Sequence, residues 1–220
     1  SEFDSMGYLP EAMRNYLARL GWGHGDDEIF SDQQAISWFD IADVVSAPAR
    51  LDWAKLNHIN NHYIRQAEIS RLADLVTAIH ESRDLKVPAD LRPVLERAIP
   101  LVRDGAKTLL DLADSTVFVL AQRPLAMPEK AAVLLTEETR ARLGRLRDRL
   151  AAAGAWDVPA LEVEIRAFAE SEGVGIGKFG QALRICLAGA ASAPDLAGAL
   201  TALGREESLG RLDDALSPAA

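Results

Sequence analysis

The stretch AEISRLADLVTAIH, residues 67–80, carries apolar side chains at Ile69, Leu72, Leu75, Val76 and Ile79. Spacings of three and four put all five on one face, because an α-helix turns once in about 3.6 residues. The same period runs through most of the chain. Upstream, Met13, Tyr16, Leu17 and Leu20 follow Pro10, which suits a first helical turn, and Gly21 supplies a stop. Ser31 with Gln34 reads as a capping box opening a short helix through Ile36 and Phe39. Asp52 caps the next, through Trp53, Leu56, Ile59 and Tyr63. Downstream, Leu91, Leu95, Ala98, Ile99 and Val102 form a stripe interrupted by Pro93 and Pro100, and Thr108, Leu109, Leu112, Val117 and Leu120 continue it.

AQRPLAMPEK, residues 121–130, then breaks the pattern with two prolines and marks the best internal boundary. Beyond it, Thr136 caps a helix carrying Leu143, Leu146 and Leu150, and Asp157 caps one carrying Leu161, Ile165 and Phe168. A third shows Phe179, Leu183 and Leu187. Ser192 or Ala193 with Pro194 starts a fourth, through Leu196, Leu200 and Leu203, and the last runs through Leu209, Leu212 and Leu216. No segment alternates convincingly as a strand. The expected fold is all-α: a mostly helical region over 1–65, then two consecutive helical bundles over 66–122 and 123–220.

A chain of 220 residues can bury a real core, and 49% hydrophobic with 26% charged residues excludes global disorder. Cys186 is the one cysteine, so an internal disulfide and a four-cysteine zinc site are both excluded, and a reducing cytoplasm fits. No stretch approaches the roughly 18 apolar residues of a membrane span, and the N-terminus lacks the regions of a signal peptide. The chain does not open on Met, which reads as a fragment or a processed product. The net charge is −9, which taken alone speaks against nucleic acid. It is unevenly spread: residues 1–65 hold five Lys and Arg against ten Asp and Glu, while 123–220 hold twelve against fourteen.

Gly175, Gly177 and Gly180 match the dinucleotide pattern G-x-G-x-x-G, but that chemistry needs a strand in front, and Leu161 to Ser171 reads as a helix. His58 and His62 have the spacing of a zinc pair but lack the neighbouring Glu and a third ligand. His24 sits in an acidic loop, and no catalytic set suggests itself. Arg142, Arg145 and Arg149 share one face of a basic helix, which reads first as a solvated face. Lys178 and Arg184 flank the start of another helix, where a phosphate would be welcome. On the residues alone, a helical scaffold binding protein partners stays open beside an RNA-binding module.

The run GYLPEAMRNYLARLGWGHGDDEIFS, residues 7–31, resembles the bacterial glutamyl-tRNA synthetases. So do Ser46 to Arg50, Lys55-Leu56, Asn61 to Arg65, Ala106 to Leu109, Gly177 to Arg184 and the closing Leu203 to Glu206, in the family's order and spacing. The family's catalytic motifs, HIGH-like and KMSKR-like, are absent. The resemblance therefore implies the C-terminal half: a stem-contact region and a two-part anticodon-binding domain, with no catalytic residue, no metal ligand and no cofactor of its own. ATP and magnesium would belong to the parent enzyme, which joins glutamate to tRNA through a glutamyl-adenylate.

The same resemblance implies the site. Arg184 is the first candidate for reading the anticodon, with Lys178 and Gln181 near the backbone and Pro194 and Leu196 packing on a base. Tyr63 and Arg65 match the segment near the inner corner of tRNA, and Lys107 lies in the matching Ala-Lys-Thr-Leu run. Many relatives carry an arginine, linked to the third anticodon base, where this chain has Gly105. Either the protein accepts both tRNA-Glu and tRNA-Gln, or another residue such as Arg103 discriminates. The expected partner is tRNA, not DNA or a membrane, and the chain is expected to be a monomer.

Overall fold

The computed structural model describes residues 2–45, 50–127, 132–189 and 193–217, and among them every regular element is a helix. The all-α expectation holds. After α1 (Glu2–Ser5), α2 (Pro10–Ala18) opens on Pro10, whose missing N–H would be unpaired there anyway. Ser31 and Gln34 exchange both bonds of a capping box at α3 (Asp32–Trp38), and Asp52 accepts from Lys55 N–H at α4 (Trp53–Gln66). α5 (Ile69–Ser82) carries the stripe read from residues 67–80 and buries Leu72 and Val76 on it. α6 spans Arg92–Val102 across both prolines: Pro93 stands in its first turn, where its missing N–H has no intrahelical acceptor to lose, and Pro100 forgoes one N–H bond near the C-terminal end without ending the helix. Thr108 does not continue that stripe. It caps α7 (Leu109–Thr116) in a second box, with Asp111.

In the C-terminal part, α8 (Glu137–Ala151) and α9 (Val158–Ser171) start at the expected caps, Thr136 and Asp157. α10 (Gly180–Ala188) and α11 (Leu196–Leu203) follow. The cap of α11 is Asp195, accepting from Gly198 N–H at 2.8 Å, rather than Ala193; Ser192 lies outside the described residues. Gly204, at φ +81°, turns the chain into α12 (Arg205–Leu216). Among the described residues no helix is long and apolar enough to cross a membrane.

α5, α6 and α7 pack on one another, and α11 lies across α6 while touching α9, α10 and α12. The buried apolar side chains form a continuous core from Tyr8 to Leu212. The N-terminal region is tied in by backbone. Gly7 O accepts from Leu109 N–H at 2.9 Å, and a Cβ on Gly7 (φ +82°) would stand 2.9 Å from Leu110 N. Only glycine combines that conformation with that approach.

The basic helix α8 has a structural employment. Arg142 and Arg145 both reach Glu172, Arg149 reaches Glu164 at 2.6 Å, and Arg147 grips Asp213 at 2.7 and 2.8 Å. The face read as solvated is thus laced to the carboxylates of its neighbours.

His80 on α5 is fully buried, with Nε2 3.4 Å from Thr116 Oγ1 and no partner for Nδ1. Burial first, and then Arg83, holds its pKa below the usual histidine value, with Asp114 pulling the other way. The unfolded chain therefore binds the proton more readily. This contribution to stability is complete above the unfolded pKa of about 6.5 and is lost as pH falls below it. We expect His80→Leu to lose less stability than the parent protein between about pH 7 and pH 5 in urea titrations. Parallel declines would show that His80 does not set the acid sensitivity.

Candidate nucleic-acid interface

Two groups of the sequence-chosen residues are brought together, one on each bundle. The first surrounds the turn at 103–107. Asn61 of α4 donates from Nδ2 to the carbonyls of Arg103, Asp104 and Ala106, at 3.4, 3.2 and 2.6 Å. Its neighbour Asn60 is buried, donates to Lys107 O at 2.7 Å and Gly7 O at 3.3 Å, and accepts from Leu9 N–H at 2.8 Å. Asp111 adds the Lys107 N–H at 2.9 Å. The turn is consequently held as a rigid shelf, with Gly105 and Lys107 exposed on it. An open groove of about 570 Å³ runs between this shelf and α4, lined by Ala54, Asn57, His58, Asn61, Asp104, Gly105 and Lys107.

Arg65 is exposed at the edge of this shelf and pairs with Asp104 at 3.1 Å. An exposed pair of this kind is worth little and is easily exchanged for another anion. Partial burial, with His58 and Arg65 adding to it, pulls the His62 pKa down, so His62 adds little positive charge at neutral pH. Tyr63 faces inward: its hydroxyl lies 2.9 Å from both Asn15 Oδ1 and Phe30 O, which share its one proton. Its observed contacts anchor the N-terminal region. Arg50 is exposed, and Ser46 to Ala49 lie outside the described residues.

The second group surrounds the start of α10. A 3-10 turn (Ile176–Lys178) leads into it, leaving Lys178 and Gln181 exposed, and no side chain caps the helix. Arg184 donates from Nη1 to Ala193 O at 3.1 Å and also to Pro194 O. It thereby ties α10 to the turn before α11. Pro194 is itself buried and Leu196 half-buried, its Cδ1 lying over Gly180. A cavity of about 270 Å³ opens beside them, lined by Arg184, Arg166, Glu162 and Asp195 together with Ile165, Ile176, Leu196 and Ala197.

The glycine run contributes shape and not a nucleotide loop: a helix precedes it, and of its neighbours only Gly173 has a positive φ. Among the described residues no group of His, Cys, Asp and Glu is placed to hold a metal ion. Cys186 is buried, its thiol pushed up to about 11, which makes it a packing residue. Two residues escaped the sequence reading. Arg166 lines the second cavity with no local signal, and Asn61 appeared only as one letter of a resembling run.

A family model described as an anticodon binding domain matches residues 59–216. A glutamate–tRNA ligase of Phenylobacterium zucineum is 70% identical over all of this chain, and one of Caulobacter vibrioides is 60% identical. The chain spans 47% of each of these two relatives. A crystal structure of a glutamate tRNA ligase from Elizabethkingia meningosepticum in complex with its amino acid superposes with a TM-score of 0.76 at 26% identity. It covers 97% of this chain and 42% of that one.

Proposed function

This chain belongs to the anticodon-binding domain family, and from that premise we propose that it is the tRNA-binding part of a glutamate–tRNA ligase. The observation that carries the reading is the end-to-end match to such ligases, joined to two ordered, partly basic surfaces at 103–107 and 178–196. The three-part division at 1–65, 66–122 and 123–220 is kept as part of the proposal. So are cytoplasmic location and action as a monomer. Activation of glutamate with ATP and magnesium would take place outside these residues. Leu17, Ile36, Phe39, Ile41, Val44, Val45 and Trp53 are exposed apolar side chains of the N-terminal region. Surface of this kind supports the reading that the region is covered in a longer protein.

The test is a titration of the chain with tRNA-Glu and with an unrelated tRNA at rising salt. RNA binding releases counterions, so affinity should fall steeply with salt, while the preference for tRNA-Glu persists. Equal affinity for both RNAs with no salt response would instead favour the protein-scaffold reading that the acidic net charge suggests.

The finer proposal concerns Gly105. It has no side chain with which to discriminate, so the complete ligase is expected to accept tRNA-Gln beside tRNA-Glu. The fold leaves room for an arginine: a Cβ at Gly105 meets only Val102 O, at 3.7 Å. Gly105→Arg should fold normally and lower charging of tRNA-Gln relative to tRNA-Glu by about tenfold, roughly 1.4 kcal/mol. If the unaltered ligase already rejects tRNA-Gln by more than about a hundredfold, roughly 2.7 kcal/mol, Arg103 or another residue discriminates.

A further inference from the structure

Arg211 of α12 is a charged side chain in the middle of the core, 2% exposed. Its Nη1 donates to Phe118 O at 2.9 Å and to Leu187 O at 2.6 Å, and its Nη2 donates to Ala121 O at 2.8 Å. Its Nε meets Glu207 at 2.6 Å. Phe118 and Ala121 close the first bundle, whereas Leu187 sits in the last turn of α10, the helix that follows the Lys178 turn and bears Gln181 and Arg184. One planar group therefore holds the end of one bundle and the end of the other's RNA-facing helix.

Stability alone does not call for an arginine here. A buried charge loses its hydration, and an apolar side chain of similar volume often does as well or better. What a guanidinium adds is direction: a rigid fork whose N–H groups donate to carbonyls at fixed angles only. The neighbouring links have less reach. Arg123 to Asp214 is a half-exposed pair, and Arg97 makes one 3.3 Å bond to Ala202 O.

We infer that Arg211 is a positioning residue for RNA recognition, setting the 178–184 surface relative to the 103–107 shelf so that one RNA engages both together. The inference rests on the proposed tRNA reading. Two contact groups held at the right spacing bind as one body, and a loose joint forfeits that gain without removing a contact.

The experiment is a double-mutant cycle on tRNA-Glu affinity with Arg211→Met and Lys107→Ala, folding being checked by circular dichroism and melting. Sites with no shared partner normally give additive losses. Positioning predicts otherwise. Arg211→Met should weaken binding about tenfold, and the further loss from Lys107→Ala should shrink from about fivefold to under about twofold. Arg211→Lys should not rescue binding, since an ammonium has no fork to span both bundle ends. Should Arg211→Met fail to fold, Glu207→Gln removes the charge that orients the guanidinium and serves in the same cycle. Additive losses, unchanged affinity in a folded variant, or full rescue by lysine each overturn the inference. Absence of salt-dependent tRNA binding by the unaltered chain would overturn the functional reading instead.

Discussion

Asn60→Ala should cost about 3 kcal/mol of stability. Asn60 is fully buried and is bonded to Leu9 N–H, Gly7 O and Lys107 O. Gly7 O keeps a second partner in Leu109 N–H, so its loss is partial. The Leu9 N–H has no such reserve, and an orphaned buried amide costs about 1–3 kcal/mol by itself. The small cavity left behind and the two broken bonds to Gly7 and Lys107 make up the rest. At this chain length the melting temperature should drop by about 6–12 °C. Asn61→Ala makes the contrast. Asn61 is only half-buried and its three carbonyls lie on the exposed shelf, so stability should fall by about 1 kcal/mol while tRNA affinity falls with it. If Asn60→Ala melts within a degree or so of the parent, the N-terminal region is not locked to residues 103–110 through this side chain.

The asparagine pair also marks where sequence reading runs out. Ser31, Asp52, Thr136 and Asp157 were legible as caps because a cap acts on an amide two or three residues away. The stripe in 67–80 was legible because helical period is local too. Asp195 was overlooked because Ser192, Ala193 and Pro194 offered an equally good local start, and only packing decides between them. Thr108 was absorbed into a stripe because a capping threonine and a stripe threonine look alike until the chain turns. Asn60 bonds across 47 to 53 residues, and Arg211 across as many as 93. No window of sequence contains such a bond. The candidate site was legible through resemblance for the same reason, since its members come from α4, the 103–107 turn and the start of α10.

The acidic total conceals a division of labour among the cations. Arg142, Arg145, Arg147 and Arg149 are spent on carboxylates of neighbouring elements, so they are less free to meet phosphate. Lys107, Lys178 and Arg65 remain exposed beside ordered backbone. A few placed cations on rigid turns favour shape-matched contact over general attraction to phosphate. Weak binding to arbitrary RNA is thus the natural companion of specific recognition in a chain with net charge −9.

Arg184→Ala should weaken tRNA-Glu binding by about 1–3 kcal/mol, up to roughly a hundredfold and more. The geometry adds a second consequence. Because Nη1 holds the carbonyls of Ala193 and Pro194, the alanine variant also loosens the turn before α11, at about 1 kcal/mol of stability. Reading and holding are separable by Arg184→Lys. An ammonium can still donate to a carbonyl of that turn, but it lacks the planar fork that meets a base edge or stacks on a splayed base. Lysine should therefore restore most of the melting temperature and little of the affinity. If both return together, Arg184 serves RNA only by shaping the turn, and reading falls to its neighbour Arg166 in the same cavity. If the alanine variant binds tRNA-Glu as well as the parent, the anticodon does not meet the protein at this end of α10.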